Sequence, residues 1–139
     1  MAQYNTILVP TDGSDHAEEA TEVAFQLAQE QDSRVHTLFV VDTRLYGEPA
    51  LSSVELFIDD LDKEGSDLLS ELVGRGNERG IDVTRKVRHG NPHEAIVEYA
   101  DEIDADLIVM GYQGKSHRKH MGSVVERVLE ETDRHVLVI

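Results

Sequence analysis

The segment Asp106–Glu131, DLIVMGYQGKSHRKHMGSVVERVLEE, decides the fold. Leu107-Ile108-Val109-Met110 is a short continuous apolar run, the mark of a strand buried on both faces. From Ser123 to Glu131 the apolar residues fall at helical spacing. Three glycines, Gly111, Gly114 and Gly122, lie between the two elements, with Lys115, His117, Arg118 and Lys119 clustered within five residues. Strand, glycine-rich loop, helix is the plan of an α/β crossover. Such a loop is suited to an anion: glycine lets backbone N–H groups come close, and the helix N-terminus adds partial positive charge. Gly111 and Gly114 would admit the anion, the Ser123 and Val124 N–H groups would point at it, and Lys115 and Ser116 would add side-chain donors. The alternative is a plain connection in which Ser123 only caps the helix.

Outward from this segment the same alternation repeats. Thr6–Pro10 is a second buried strand, followed by the turn Thr11-Asp12-Gly13-Ser14-Asp15 with Ser14 or Asp15 as N-cap. Ala20, Val23, Ala24, Leu27 and Ala28 then keep helical spacing. Val35–Val41 is a strand ending at Asp42, and residues 42–50 form a loop. A long helix runs from Leu51 to about Glu78, with Gly65 as a weak point and Gly74–Gly80 as its frayed end. Ile81, Val83 and Val87 alternate with polar residues, as in a half-exposed edge strand. Asn91-Pro92-His93-Glu94 starts a helix, with Asn91 at the N-cap and His93 as its second residue. Ser123-Val124-Val125-Glu126 reads as a capping box, with Val124, Val125, Val128 and Leu129 facing inward. Val136–Ile139 is the fifth strand.

The order β-α-β-α-β-α-β-α-β predicts an α/β fold, one open five-stranded parallel sheet with helices on both faces, spanning residues 1–139 as one domain. The uninterrupted strands belong at the centre and the alternating one at an edge, which gives the order 3-2-1-4-5. The chain then reverses direction between strands 1 and 4. Ligands bind at such a switch point, beyond the strands' C-terminal ends. Pro10-Thr11-Asp12-Gly13 and the Gly111–Ser123 loop meet there. Asp12 either contacts a ligand, through a ribose hydroxyl or Mg²⁺, or only forms the turn. Val136–Ile139, apolar and at an edge, is where a second copy would pair.

Composition narrows the partners. Asp and Glu number 28 against 13 Lys and Arg, four of them Lys, for a formal charge of -15. That surface repels nucleic acid and anionic membranes. It fits either an ordinary acidic protein or one adapted to a high-salt cytoplasm. The chain has no cysteine, its start does not read as a signal peptide, and no apolar run approaches the roughly 20 residues of a membrane span. A cytoplasmic location is expected. The substring Gly111-x-x-Gly114-Lys115-Ser116 is not a Walker A loop, which needs four residues between its glycines. Gly74-Arg75-Gly76 follows a helix and is no dinucleotide fingerprint. His117 and His120 have no third metal ligand near them in sequence and read as solvated or phosphate-facing.

ILVPTDGS (7–14), FVVD (39–42), GNPHEAIVEYA (90–100), DLIVMGYQGKS (106–116) and GSVVERVL (122–129), in that order, resemble the universal stress protein family. The resemblance covers nearly the whole chain. It implies a Rossmann-like five-stranded fold, frequent homodimers, a role in stress response or regulation and, in one branch, ATP binding. That branch looks like G-x2-G-x9-G-[ST]. Gly111, Gly114 and Gly122-Ser123 match it, but seven residues rather than nine precede Gly122. The resemblance implies ATP or another adenine nucleotide, with Mg²⁺. It would be held by Pro10, Thr11, Asp12, the Val40 main chain, Gly111, Gly114, Lys115, Ser116, His117, Gly122, Ser123, Val124 and Val125, with Asp12 reaching Mg²⁺ through the nucleotide. No shared catalytic reaction is established for the family. The alternatives are a slow ATPase and a protein–protein module whose shortened loop no longer holds nucleotide.

Overall fold

The computed structural model describes residues 4–43, 52–113 and 121–139, with backbone alone for 52–57. The elements are β1 (Thr6–Pro10), α1 (Asp15–Gln31), β2 (Arg34–Asp42), α2 (Ser52–Glu78), β3 (Val83–Gly90), α3 (Pro92–Glu102), β4 (Leu107–Met110), α4 (Ser123–Glu131) and β5 (His135–Val138). All neighbouring strands pair in parallel, in the order β3-β2-β1-β4-β5. The strand order read from periodicity is the one observed. Among the described residues no helix is long and apolar enough to cross a membrane.

Strand alternation divides the core. Ile7 and Val9 of β1 pack with Ala20, Ala24, Phe25 and Ala28 of α1. Leu8 points the other way, to Ile96, Tyr99, Ala100, Val125 and Val128 of α3 and α4. Phe39 and Val41 of β2 meet Leu69 and Leu72 of α2. Both faces of the central strands are therefore covered, which is why β1 and β4 read as unbroken apolar runs.

The helix α2 ends at Glu78, as read from the sequence, and runs unbroken through Gly65 and Gly74. A Cβ at Gly65 would lie 2.4 Å from Phe39 Cδ1, and one at Gly76 would lie 2.3 Å from Val83 Cγ2. These glycines let α2 lie close on β2 and β3, and that contact outweighs their low helix propensity, about 1 kcal/mol against alanine. Ile81 precedes β3 and is buried against α1 and β1.

Of two caps read from the sequence, one position is as expected and one differs. Asn91 occupies the α3 N-cap, but its side chain makes no capping bond, and Pro92 begins the helix. The expected capping box at Ser123 is absent: Gly122 is the N-cap of α4 and Ser123 its first residue. The reason is tertiary. The Gly122 N–H donates to the Tyr112 carbonyl at 2.8 Å, which holds Gly122 at the cap position. With only nine residues, α4 buries a narrow stripe, Val125 and Val128, and leaves Leu129 41% exposed rather than facing inward.

Candidate functional site

A cleft of about 520 Å³ opens at the C-terminal ends of β1, β2 and β4, at the switch point. Each wall has a local cause. At the end of β1, the Thr11 N–H donates to the Leu38 carbonyl at 2.8 Å, which extends the β1–β2 ladder one residue beyond Pro10. Thr11 Oγ1 then accepts from the Gly13 N–H at 3.1 Å, and Asp12 Oδ1 accepts from the Ser14 N–H at 2.9 Å. Gly13 turns the chain at φ +80°, in the left-handed region that favours glycine. Ser14 Oγ accepts from the Ala17 N–H at 3.3 Å and caps α1. Asp12 thus does form the turn, as one reading of the sequence held, and it also lines the cleft.

The opposite wall begins at Gly111. A Cβ there would lie 2.7 Å from the His16 carbonyl carbon and 2.9 Å from the Ala17 nitrogen. The exit of β4 therefore runs directly against the first turn of α1. The Tyr112 N–H donates to the Ile139 carbonyl at 2.7 Å, and the Tyr112 carbonyl accepts from Gly122. Tyr112 thereby closes the base of the glycine loop and fixes where α4 starts. The first intrahelical bond of α4 runs from the Glu126 N–H to the Gly122 carbonyl at 3.1 Å. By geometry the N–H groups of Ser123, Val124 and Val125 have no acceptor within the helix, and a glycine cap has no side chain to offer one. These residues line the cleft.

Pro10, Thr11, Asp12, Val40, Gly111, Gly122, Ser123, Val124 and Val125, singled out in the sequence, all line this one cleft. Gly114, Lys115, Ser116 and His117 lie outside the described residues, as does His120. Leu38, Asp42, Pro92, Ile96, Met110 and Gln113 also line it and were not anticipated as site residues. Asp42 was visible as the polar end of an apolar strand, and Pro92 as the start of the helix after the edge strand. Neither becomes a site residue until β2 and α3 are placed beside β1. The result is a cleft with apolar walls from Leu38, Val40, Ile96 and Met110, amide donors with no intrahelical acceptor at α4, and the carboxylates of Asp12 and Asp42 at the ends of β1 and β2. It can take a flat apolar group together with an anion.

The sequence model of the universal stress protein family matches residues 3–139. The chain belongs to that family. A universal stress protein of Methanocaldococcus jannaschii is 40% identical over 139 residues, covering 98% of this chain and 82% of that protein. The structure of UspA from Lactobacillus plantarum matches with a TM-score of 0.92 at 30% identity, over 100% of this chain and 99% of that one. A universal stress protein solved in complex with cAMP matches with a TM-score of 0.76 at 28% identity, over 99% of this chain and 98% of that one.

In this universal stress protein the cleft wall is braced from behind. His93, read in the sequence only as the second residue of α3, is buried, and its Nδ1 lies 3.0 Å from Glu131 Oε2 at the end of α4. The hydrogen bond to His93 holds the Glu131 carboxyl below the usual carboxylate range. The pair ties α3, whose Pro92 and Ile96 line the cleft, to α4, whose first turn also lines it.

Proposed function

We propose that this universal stress protein binds an adenine nucleotide in the switch-point cleft and acts as a ligand-sensing regulatory module. The observation that carries this reading is the convergence of the α4 first turn, Asp12 and the apolar Leu38–Val40 wall on one cleft of about 520 Å³. A phosphate supplies the acceptors that the Ser123, Val124 and Val125 amides lack within the helix, at its positive end. A purine ring is flat and apolar on its faces, as the wall requires, and its edge is met by the main chain at Val40. The relative solved with cAMP supports an adenine base.

The residues fit a nucleotide that brings its own metal. Among the described residues no group of three or more His, Cys, Asp or Glu gathers to hold an ion. Magnesium would enter on the phosphates of ATP, with the Asp12 carboxylate as a hard oxygen partner. Calorimetric titration with Mg-ATP, ADP, AMP and cAMP tests the reading, alongside mass spectrometry of small molecules released on denaturing the purified protein. Heat from at least one adenine nucleotide is expected. Absence of heat from all four, with no nucleotide recovered, would overturn it.

The two sheet edges favour different roles, and this supports a homodimer through β5. β3 exposes Thr84, Arg85 and Lys86 along its eight residues, a charged edge that resists pairing. β5 carries Val136, Leu137 and Val138. Leu137, at 37% exposed, and Leu129 on α4 are the exposed large hydrophobic residues of the described chain. Pairing through β5, from Val136 to Ile139, would cover the open edge. Sedimentation should give a dimer for the wild type and a monomer for Leu137→Asp. A wild type that stays monomeric at high micromolar concentration would refute this interface.

A further inference from the structure

We infer that the open edge of β3 docks an extended, carboxylate-rich segment of another protein, which joins the sheet there as a further strand. The main chain is set for it. The Val35 N–H donates to the Asp82 carbonyl at 2.9 Å, and Val35 stands opposite Val83. In a parallel ladder the N–H and C=O of one residue point the same way, and successive residues alternate. Asp82, Thr84, Lys86 and Arg88 therefore turn theirs toward β2, and Arg85, Val87 and His89 turn theirs away from it. Among the described residues β3 pairs with β2 alone. The outward donors and acceptors thus stand in the pattern that an added strand uses.

The side chains select the partner. β3 spans eight residues, Val83–Gly90, with Arg85, Lys86 and Arg88 and no carboxylate. The whole chain carries a formal charge of -15. A basic strand at the rim of an acidic protein reverses the sign locally, and screening over about 8 Å at physiological salt lets that local charge act. Arg85 reaches Ser66 and Ser70 of α2. Arg88 pairs with Glu102 of α3 at 2.6 Å and lies over the Tyr99 ring. Lys86 is exposed and has no ion-pair partner among the described residues. It shares a face with Thr84 and Arg88, so alternate carboxylates of an added strand would lie beside it. The charge that keeps β3 from pairing with a second β3 attracts such a strand. The apolar β5 edge suits a copy of itself, so the two edges take different partners. The competing account is that the charge on β3 only protects the edge.

The probe is a fluorescein-labelled peptide of about ten residues alternating Glu and Thr, long enough to span the edge. The control peptide has equal charge but carries proline at the Thr positions and cannot form a strand. In fluorescence anisotropy at low salt the wild type should bind the control at least about tenfold more weakly than the probe, the difference being several main-chain hydrogen bonds. Lys86→Glu should weaken probe binding about three- to tenfold by turning an attraction into a repulsion, and a wild-type urea midpoint confirms its fold. Val87→Pro should weaken it by a similar factor or more, because proline removes an outward donor and is tolerated on an edge strand. Hydrogen exchange followed by NMR needs no variant. The Arg85, Val87 and His89 amides should slow when the probe is added, whereas those of Thr84, Lys86 and Arg88 are slow already. Equal binding of probe and control would mark plain attraction of anions and overturn the inference. So would a wild type that binds neither at about 1 mM peptide, unaltered exchange at Arg85, Val87 and His89 with the probe bound, or unchanged binding by Lys86→Glu. Slow exchange of these amides in the free protein that is lost on dilution would make the occupant a second copy and overturn it as well.

Discussion

Gly111→Ala is expected to destabilise the protein by about 1–3 kcal/mol, the usual cost of forcing a methyl group into a filled site. The upper part of that range is expected because the methyl would meet backbone. Its nearest neighbours are the His16 carbonyl carbon at 2.7 Å, His16 Cβ at 2.8 Å and the Ala17 nitrogen at 2.9 Å. A flexible side chain could swing away, but the first turn of α1 is pinned by the Ser14 cap and by packing of Ala17 and Ala20. Relief therefore requires α1 and the exit of β4 to separate. Pro10, Asp12 and Ala17 stand on one side of that contact and Met110 and Gly111 on the other, and all five line the cleft. Nucleotide affinity should fall with stability, even at temperatures where the variant is fully folded. Gly74→Ala is the control. Gly74 lies inside α2, about one turn from its C-terminal end, with nothing within 4 Å of an added Cβ, so alanine there should stabilise by about 0.5–1 kcal/mol through helix propensity. Urea unfolding with an unchanged m-value reads both. A Gly111→Ala midpoint equal to the wild type would mean that β4 and α1 are not in this contact.

That contact also shows how far the sequence could be read. The fold was legible because strand burial imprints itself locally. Thr6–Pro10 and Leu107–Met110 are continuous apolar runs because helices cover both faces, and β3 alternates because it lies at an edge. The switch point follows from that order, so the two loops that meet at the cleft could be named in advance. Gly111 itself was read for the right place with half of its cause. A glycine before a phosphate-type helix signals close backbone approach, but only the tertiary structure shows that α1 is the neighbour it must admit. Gly65 and Gly76 failed as signals for the same reason. A glycine in a helix is locally unfavourable, and nothing near it in sequence names Phe39 or Val83 as the partner. Ser123 as N-cap was overridden by the Tyr112–Gly122 bond, whose partners stand ten residues apart. The His93–Glu131 pair spans 38 residues, and no periodicity reports on it.

Ser123→Pro separates the phosphate end of the cleft from the stability of the helix that forms it. Proline suits the first position of a helix, where its missing N–H would have had no intrahelical acceptor. The residue before a proline must be extended. Gly122 is already so, at φ -63° and ψ 149°. The substitution should leave the unfolding midpoint within about 0.5 kcal/mol of the wild type, as for a compatible site. It removes one backbone donor and one hydroxyl from the α4 first turn. If the phosphate sits there, AMP affinity should fall about tenfold or more, the worth of a hydrogen bond to a charged group. Ser123→Ala removes the hydroxyl alone, so the difference between the two variants isolates the backbone donor. Adenosine carries no phosphate and should bind the wild type and both variants alike. That last comparison is the discriminating one: a proline that weakens adenosine and AMP equally would show a displaced cleft wall rather than a lost phosphate donor. A proline that leaves AMP binding unchanged would mean that the N-terminus of α4 does not hold the phosphate.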